Sequence, residues 1–276
     1  MAGTDRTEVV SDRAADVRSR LPPTLRDVIE GAARHQVPVL AGGLAFFGLL
    51  SLAPAVGVGL GLLRLLAPDA MISALVDGLR QSFPDTLGLG VLLEQMDERA
   101  GRYAGVGLLV MLWPATTLAS GWKRALDAVC EHATEPAVRG VLGRLKGVAI
   151  GFVLLAGMLV LLGVAVAGTT FLGNRAAVFA MVAVAAVVLQ FGFALLVYRV
   201  LPPEAPAWSA LRPGAAWSTL GVCIVTVALA VALTAAEQFA QQYPPTLSTA
   251  VVLGLWLYGA NLSLLLGAEL NTARQR

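Results

Sequence analysis

Asn261 and Glu269 stand in one of the most apolar stretches of this chain, Leu255 to Asn271, and that setting makes them the first candidates for chemistry. An ionised side chain at the middle of a bilayer costs ~2.5–3.5 kcal/mol on insertion scales, so a polar group inside such a run needs a partner or a task. Asn261 sits well inside the run. Glu269 follows about two helical turns later, close to its end, with Asn271 just beyond. Trp256 lies too deep in the run to be only an interfacial anchor. Arg199 ends another apolar run at the same depth, which gives Glu269 two readings. One is a structural ion pair with Arg199. The other is a carboxylate that couples or gates the passage of a substrate.

The remaining polar candidates are scattered over two other runs. Ser51 and Pro54 lie in a stretch of small residues from Ala41-Gly42-Gly43 to Gly61. They are read either as close glycine packing with a proline kink or as a bent helix lining a cavity. Thr116, Thr117 and Ser120 follow Pro114, where their hydroxyls would bond the backbone carbonyls that a proline frees. Lys123, Arg124 and Asp127 come next, either as interfacial charges or as a cytoplasmic rim that attracts anions, a candidate charged cluster that also takes in Arg199, Glu269 and Asn271. Gln190 is a lone amide suited to joining helices. Cys130 and Cys223 are expected to be inert thiols, and His35 and His132 have no metal-ligand spacing. No Gly-rich phosphate loop, paired-histidine zinc motif or nucleophile elbow occurs, so neither a metal nor a cofactor is expected.

The elements that must hold these residues follow from composition. The chain has 276 residues, 57% hydrophobic and 14% charged. A soluble domain carries roughly 25% charged residues, and a water-facing surface cannot be made from so few. Six apolar runs reach the ~20 residues that a bilayer requires of a helix. They are about Val37 to Leu66, Tyr103 to Trp122, Gly147 to Leu172, Ala176 to Tyr198, Gly214 to Ala236 and Thr246 to Leu270. The expected fold is an all-α polytopic bundle of six transmembrane helices spanning residues 37–271, with an N-terminal segment 1–36 and a tail 272–276 in the cytoplasm. The first run is read as an uncleaved span, because neither the basic start nor the short apolar core of a signal peptide precedes it.

Loop charges set the orientation. Fifteen of the 20 lysines and arginines fall in the N-terminal segment, the even-numbered connections and the tail; Arg64, Arg80, Arg99, Arg102 and Arg175 make up the rest. The positive-inside rule then places both termini in the cytoplasm. The first outer connection, residues 67–102, carries Met71, Leu75 and Leu79 on one side and Asp69, Ser73 and Asp77 on the other. That period predicts an amphipathic helix, either lying on the membrane surface or gating a cavity. Gly173 and Asn174 join the third and fourth spans as a hairpin. A net charge of +2 gives no nucleic-acid signal.

Several segments together resemble the YihY/BrkB family of bacterial inner-membrane proteins. They are Gly43-Leu44-Ala45-Phe46-Phe47 through Ser51-Leu52-Ala53-Pro54, Gly121-Trp122-Lys123-Arg124-Ala125-Leu126-Asp127, Tyr198-Arg199-Val200-Leu201-Pro202, Pro213-Gly214-Ala215 and Leu265-Leu266-Gly267-Ala268-Glu269-Leu270-Asn271. The likeness runs over about residues 25 to 273. The family often has tyrosines where Phe46 and Phe47 stand, and commonly an asparagine in place of Asp127. The resemblance implies six helices with both termini inside. Members carry a ribonuclease BN label, a serum-resistance label and proposals of lipid or solute export.

Three functions follow as expectations. The first is a transporter or flippase-like protein for a lipid-like or anionic amphiphilic substrate, with membrane lipids as its partners. The second is a non-transporting scaffold for envelope assembly. The third, a ribonuclease, is disfavoured: RNA cleavage needs a positioned base and acid or a metal-ligand cluster, and the chain offers two isolated histidines. The expectation is a protein that is not an enzyme.

Overall fold

The structure, a computed structural model, describes residues 22–66, 120–130, 174–202, 206–235 and 245–275, with isolated helical positions at 117, 149–150, 153, 157, 161 and 164; within 52–66, 233–235 and 245–249 the description is of backbone alone. The amphipathic helix expected within 67–102, the membrane part of the second span with Thr116, and most of the third span lie outside these residues. Every described element is helical. Five helices have full bounds: α1 Pro23–Arg34, α2 Val37–Leu66, α3 Arg175–Val200, α4 Trp208–Ala235 and α5 Pro245–Ala273. Residues 120–129 form a further helical stretch.

Three of these, Ala176–Val200, Trp208–Ala232 and Ala250–Ala273, are long and apolar enough to cross a membrane. They are apolar on every side, as a helix must be when lipid rather than water surrounds it. Phe179, Val184 and Val188 of α3 and Val227 and Val231 of α4 are accordingly exposed. Asn174 starts α3, its Oδ1 accepting from the backbone N–H groups of Ala176 at 2.9 Å and Ala177 at 3.5 Å, and the helix ends at Leu201-Pro202.

Two elements differ from the expectation. Residues 23–34, expected only as part of a polar segment, form α1, and this helix packs on α5 and α2. Helix α4 begins at Trp208, upstream of the expected Gly214, and passes through Pro213. Proline removes one backbone donor and crowds the preceding turn. Here Asn271 of α5 reaches across to serve that turn, its Oδ1 accepting from Gly214 N at 2.8 Å and its Nδ2 donating to Leu211 O at 3.3 Å.

Helices α4 and α5 meet along a seam of small residues. A Cβ at Gly214 would run into the carbonyl oxygen of Gly267, and one at Gly267 into that of Gly214. Further along, Gly221 faces Ser263 and Gly259 faces Val225 in the same way. Small residues at four-residue spacing let backbones approach, which is how helices gain packing energy where lipid removes the hydrophobic drive. Hydroxyls in the bundle bond their own helix: Ser51 to Gly48 O, Thr219 to Ala215 O, Ser263 to Gly259 O and Thr272 to Ala268 O. The buried core joins Val37, Ala41 and Leu44 of α2 to Leu126 and Val129 and to Leu264, Leu265 and Ala268 of α5.

Candidate functional site

The polar groups converge where the α1–α2 turn, the end of the 120–130 segment and the last turns of α5 meet. Helix α1 ends with the backbone N–H of His35 on Gly31 O at 2.9 Å. Gln36 then adopts a left-handed conformation, φ 51°, and its carbonyl accepts from Val39 and Leu40 to open α2. A side chain larger than glycine pays about 1–2 kcal/mol for that conformation. The turn fixes the direction of His35 across the bundle.

His35 Nδ1 lies 2.6 Å from Glu269 Oε1, with side chains only 10% and 5% exposed. At that separation the two groups share one proton, either as Nδ1–H donating to a carboxylate or as a carboxyl O–H donating to the ring. The carboxylate also lies against α1: a Cβ at Gly31 would be 2.5 Å from Oε2. The pairing of Glu269 with Arg199 does not form. Arg199 donates from Nη1 to Pro206 O at 2.7 Å and stacks over Trp208, because the Leu201-Pro202 exit from α3 folds back beside it.

Next to this pair, Thr272 Oγ1 contacts Cys130 Sγ at 3.9 Å. Burial pushes the Cys130 thiol above its ordinary value; the Thr272 contact pulls it back, and the carboxylates of Asp127 and Glu269 add to the rise through space. Asp127 Oδ2 holds Lys123 Nζ at 2.7 Å, and its buried Oδ1 has no hydrogen-bond partner among the described residues. Arg124 is exposed. No group of three metal-ligating side chains gathers among the described residues.

The other candidates are dispersed. Asn261 is buried, with Oδ1 accepting from the Trp122 indole at 2.8 Å and Nδ2 donating to Leu257 O at 2.8 Å. Trp256 lies on the α4 side, its Nε1 donating to Thr226 Oγ1 at 3.0 Å. Ser120 donates to Thr117 O at 3.0 Å. Ser51 is turned onto its own helix, and Pro54 lies within helical α2. Asn271, expected in the charged cluster, spends its amide on the Pro213 turn.

Sequence reasoning missed His35, set aside because no second histidine lay at ligand spacing. The signal was present in α1: Leu25, Val28, Ile29 and Ala32 recur at three- and four-residue spacing after Pro22-Pro23, the pattern of an amphipathic helix with proline at its first position. It also missed Trp122 as the partner of Asn261, although a buried indole N–H usually finds an acceptor.

The family model described as Virulence factor BrkB matches residues 28–276, which takes in His35, Glu269 and all of α2 to α5. No curated protein and no solved structure matches the chain significantly. The protein belongs to the BrkB family of membrane proteins.

Proposed function

We propose that this BrkB-family protein moves a lipid-like or anionic amphiphilic substrate across the bacterial inner membrane, through a six-span bundle with both termini in the cytoplasm, and that it catalyses no reaction. The observation that carries this reading is the buried His35–Glu269 pair. Replacing a buried ion pair with well-packed apolar residues is often neutral or stabilising, so packing alone does not call for one. Ionisable groups kept within a membrane bundle mark substrate paths and proton relays. This pair spans from the α1–α2 turn to α5, so it ties the amino-terminal helix to the last turns of the bundle.

The test is reconstitution of the full chain in liposomes with labelled anionic and zwitterionic lipids. Movement above empty vesicles, reduced by Glu269→Gln, supports the proposal. No movement for any lipid class sinks it. The scaffold reading draws on a different observation, the backbone contact of Gly214 with Gly267, which suits a rigid support. A scaffold would leave lipid distribution unchanged in both the native chain and Glu269→Gln.

A further inference from the structure

We infer that the corner between α3 and α4 is a binding site for the phosphate headgroup of an anionic phospholipid, held at the membrane surface rather than moved across it. Three side chains make the site. Arg199, at the end of α3, has its Cζ 5.6 Å from the Trp208 ring centroid. One of its five N–H groups is used on Pro206 O, and no acidic side chain pairs with it among the described residues. Arg212 stands four residues after Trp208, on the same face of α4, and is exposed with no acidic partner among the described residues. Trp208 itself is half exposed, at 51%.

The chemistry selects the occupant. Lys123 and Arg26 spend their charge on Asp127 and Glu30. Among the described residues, Arg199 and Arg212 leave two planar guanidinium forks uncompensated, a geometry that matches phosphate oxygens. The positive end of the α4 dipole lies at the same corner. Trp208 supplies the ring that favours the headgroup level of a bilayer. Below Arg212, Ala216 and Leu220 follow at four-residue spacing, both exposed, and lead to exposed Ile224 and Val227. A headgroup on the arginines therefore has its acyl chains continuing along an apolar helix face. A free phosphate would gain nothing from that face, and a zwitterionic lipid would bring its own cation to the arginines. The site does not depend on the transport reading.

The experiment is native mass spectrometry of the delipidated full chain in detergent with added phosphatidylglycerol or phosphatidylcholine. The native chain retains phosphatidylglycerol preferentially. Each arginine removed, as Arg199→Gln or Arg212→Gln, lowers that preference about fivefold, and raising salt lowers it as well. The exposed Arg274→Gln serves as the charge-matched control and leaves the preference intact. Arg212 is exposed and has no acidic partner among the described residues, so its variant tests the site even if Arg199→Gln fails to fold. The inference is overturned if Arg212→Gln changes the preference no more than Arg274→Gln, or if millimolar inorganic phosphate displaces the lipid.

Discussion

The carboxylate of Glu269 lies against the backbone of Gly31, on a surface where a single methyl group would collide with Oε2. That contact, with the His35 hydrogen bond beside it, fastens α1 to the last turns of α5. Gly31→Ala should therefore push the carboxylate off the helix and weaken the His35 bond, even though alanine is the better helix former by about 1 kcal/mol. Thermal unfolding in detergent should show a net loss. A gain in stability would mean that α1 does not hold Glu269 in this way.

His35→Ala and Glu269→Gln should not be additive. A hydrogen bond to a charged group contributes roughly 1.5–3 kcal/mol; His35→Ala removes it, and Glu269→Gln leaves only a neutral acceptor in its place. A double-mutant cycle on unfolding should return a coupling in that range, while strictly additive losses would show that the two side chains do not interact in the membrane.

The α4–α5 seam separates glycines that matter from those that do not. Gly214→Ala and Gly267→Ala place a methyl group on a facing backbone carbonyl, and overpacking of this kind costs about 1–3 kcal/mol. Gly42 has open space around it, so Gly42→Ala should be neutral or mildly stabilising. Denaturant titration of the three variants checks the contrast.

Asn261→Leu should leave the Trp122 indole N–H without its acceptor. Buried donors left without partners cost ~1–3 kcal/mol, and Trp122→Phe added to Asn261→Leu should recover part of the loss. If the second change makes matters worse by its full amount, the hydrogen bond is not what Asn261 contributes.

Cys130 should react slowly with maleimides. Its pKa is raised above the ordinary thiol value, chiefly by burial, so at pH 7–8 it holds less thiolate than an ordinary cysteine. The sign for stability follows: the neutral thiol is favoured in the folded chain, the contribution is complete below the ordinary value, and it fades as pH climbs past it. Labelling that is as fast as for an exposed peptide thiol at pH 7.5 would contradict the buried setting. Thr272→Val removes the contact that lowers the thiol's value and should slow labelling further.

Much of this architecture could be read from residues alone. The apolar runs that became α2, α3 and α5 were visible because lipid permits no other arrangement for ~20 apolar residues, and Asn174, read as part of a short connection, caps the start of α3. Asn261 was visible as a buried amide. Its partner was not, because hydropathy says nothing about which helix lies beside which. Arg199 and Glu269 shared a depth, and depth alone suggested a pair; the fold-back at Pro206 drew Arg199 away. His35 was hidden for a related reason. A lone histidine at a helix end has no spacing to recognise, and only the left-handed Gln36 turn directs it across to Glu269.

The backbone-to-backbone contact of Gly214 and Gly267 has a bearing on any working cycle. Each glycine leaves its Cα open to the other's carbonyl oxygen, and two helices seated this closely cannot slide or rotate independently without steric collision. Among the described residues, the α1–α2 turn at Gln36 has no such backbone clamp, and there the His35–Glu269 contact is what ties α1 to α5.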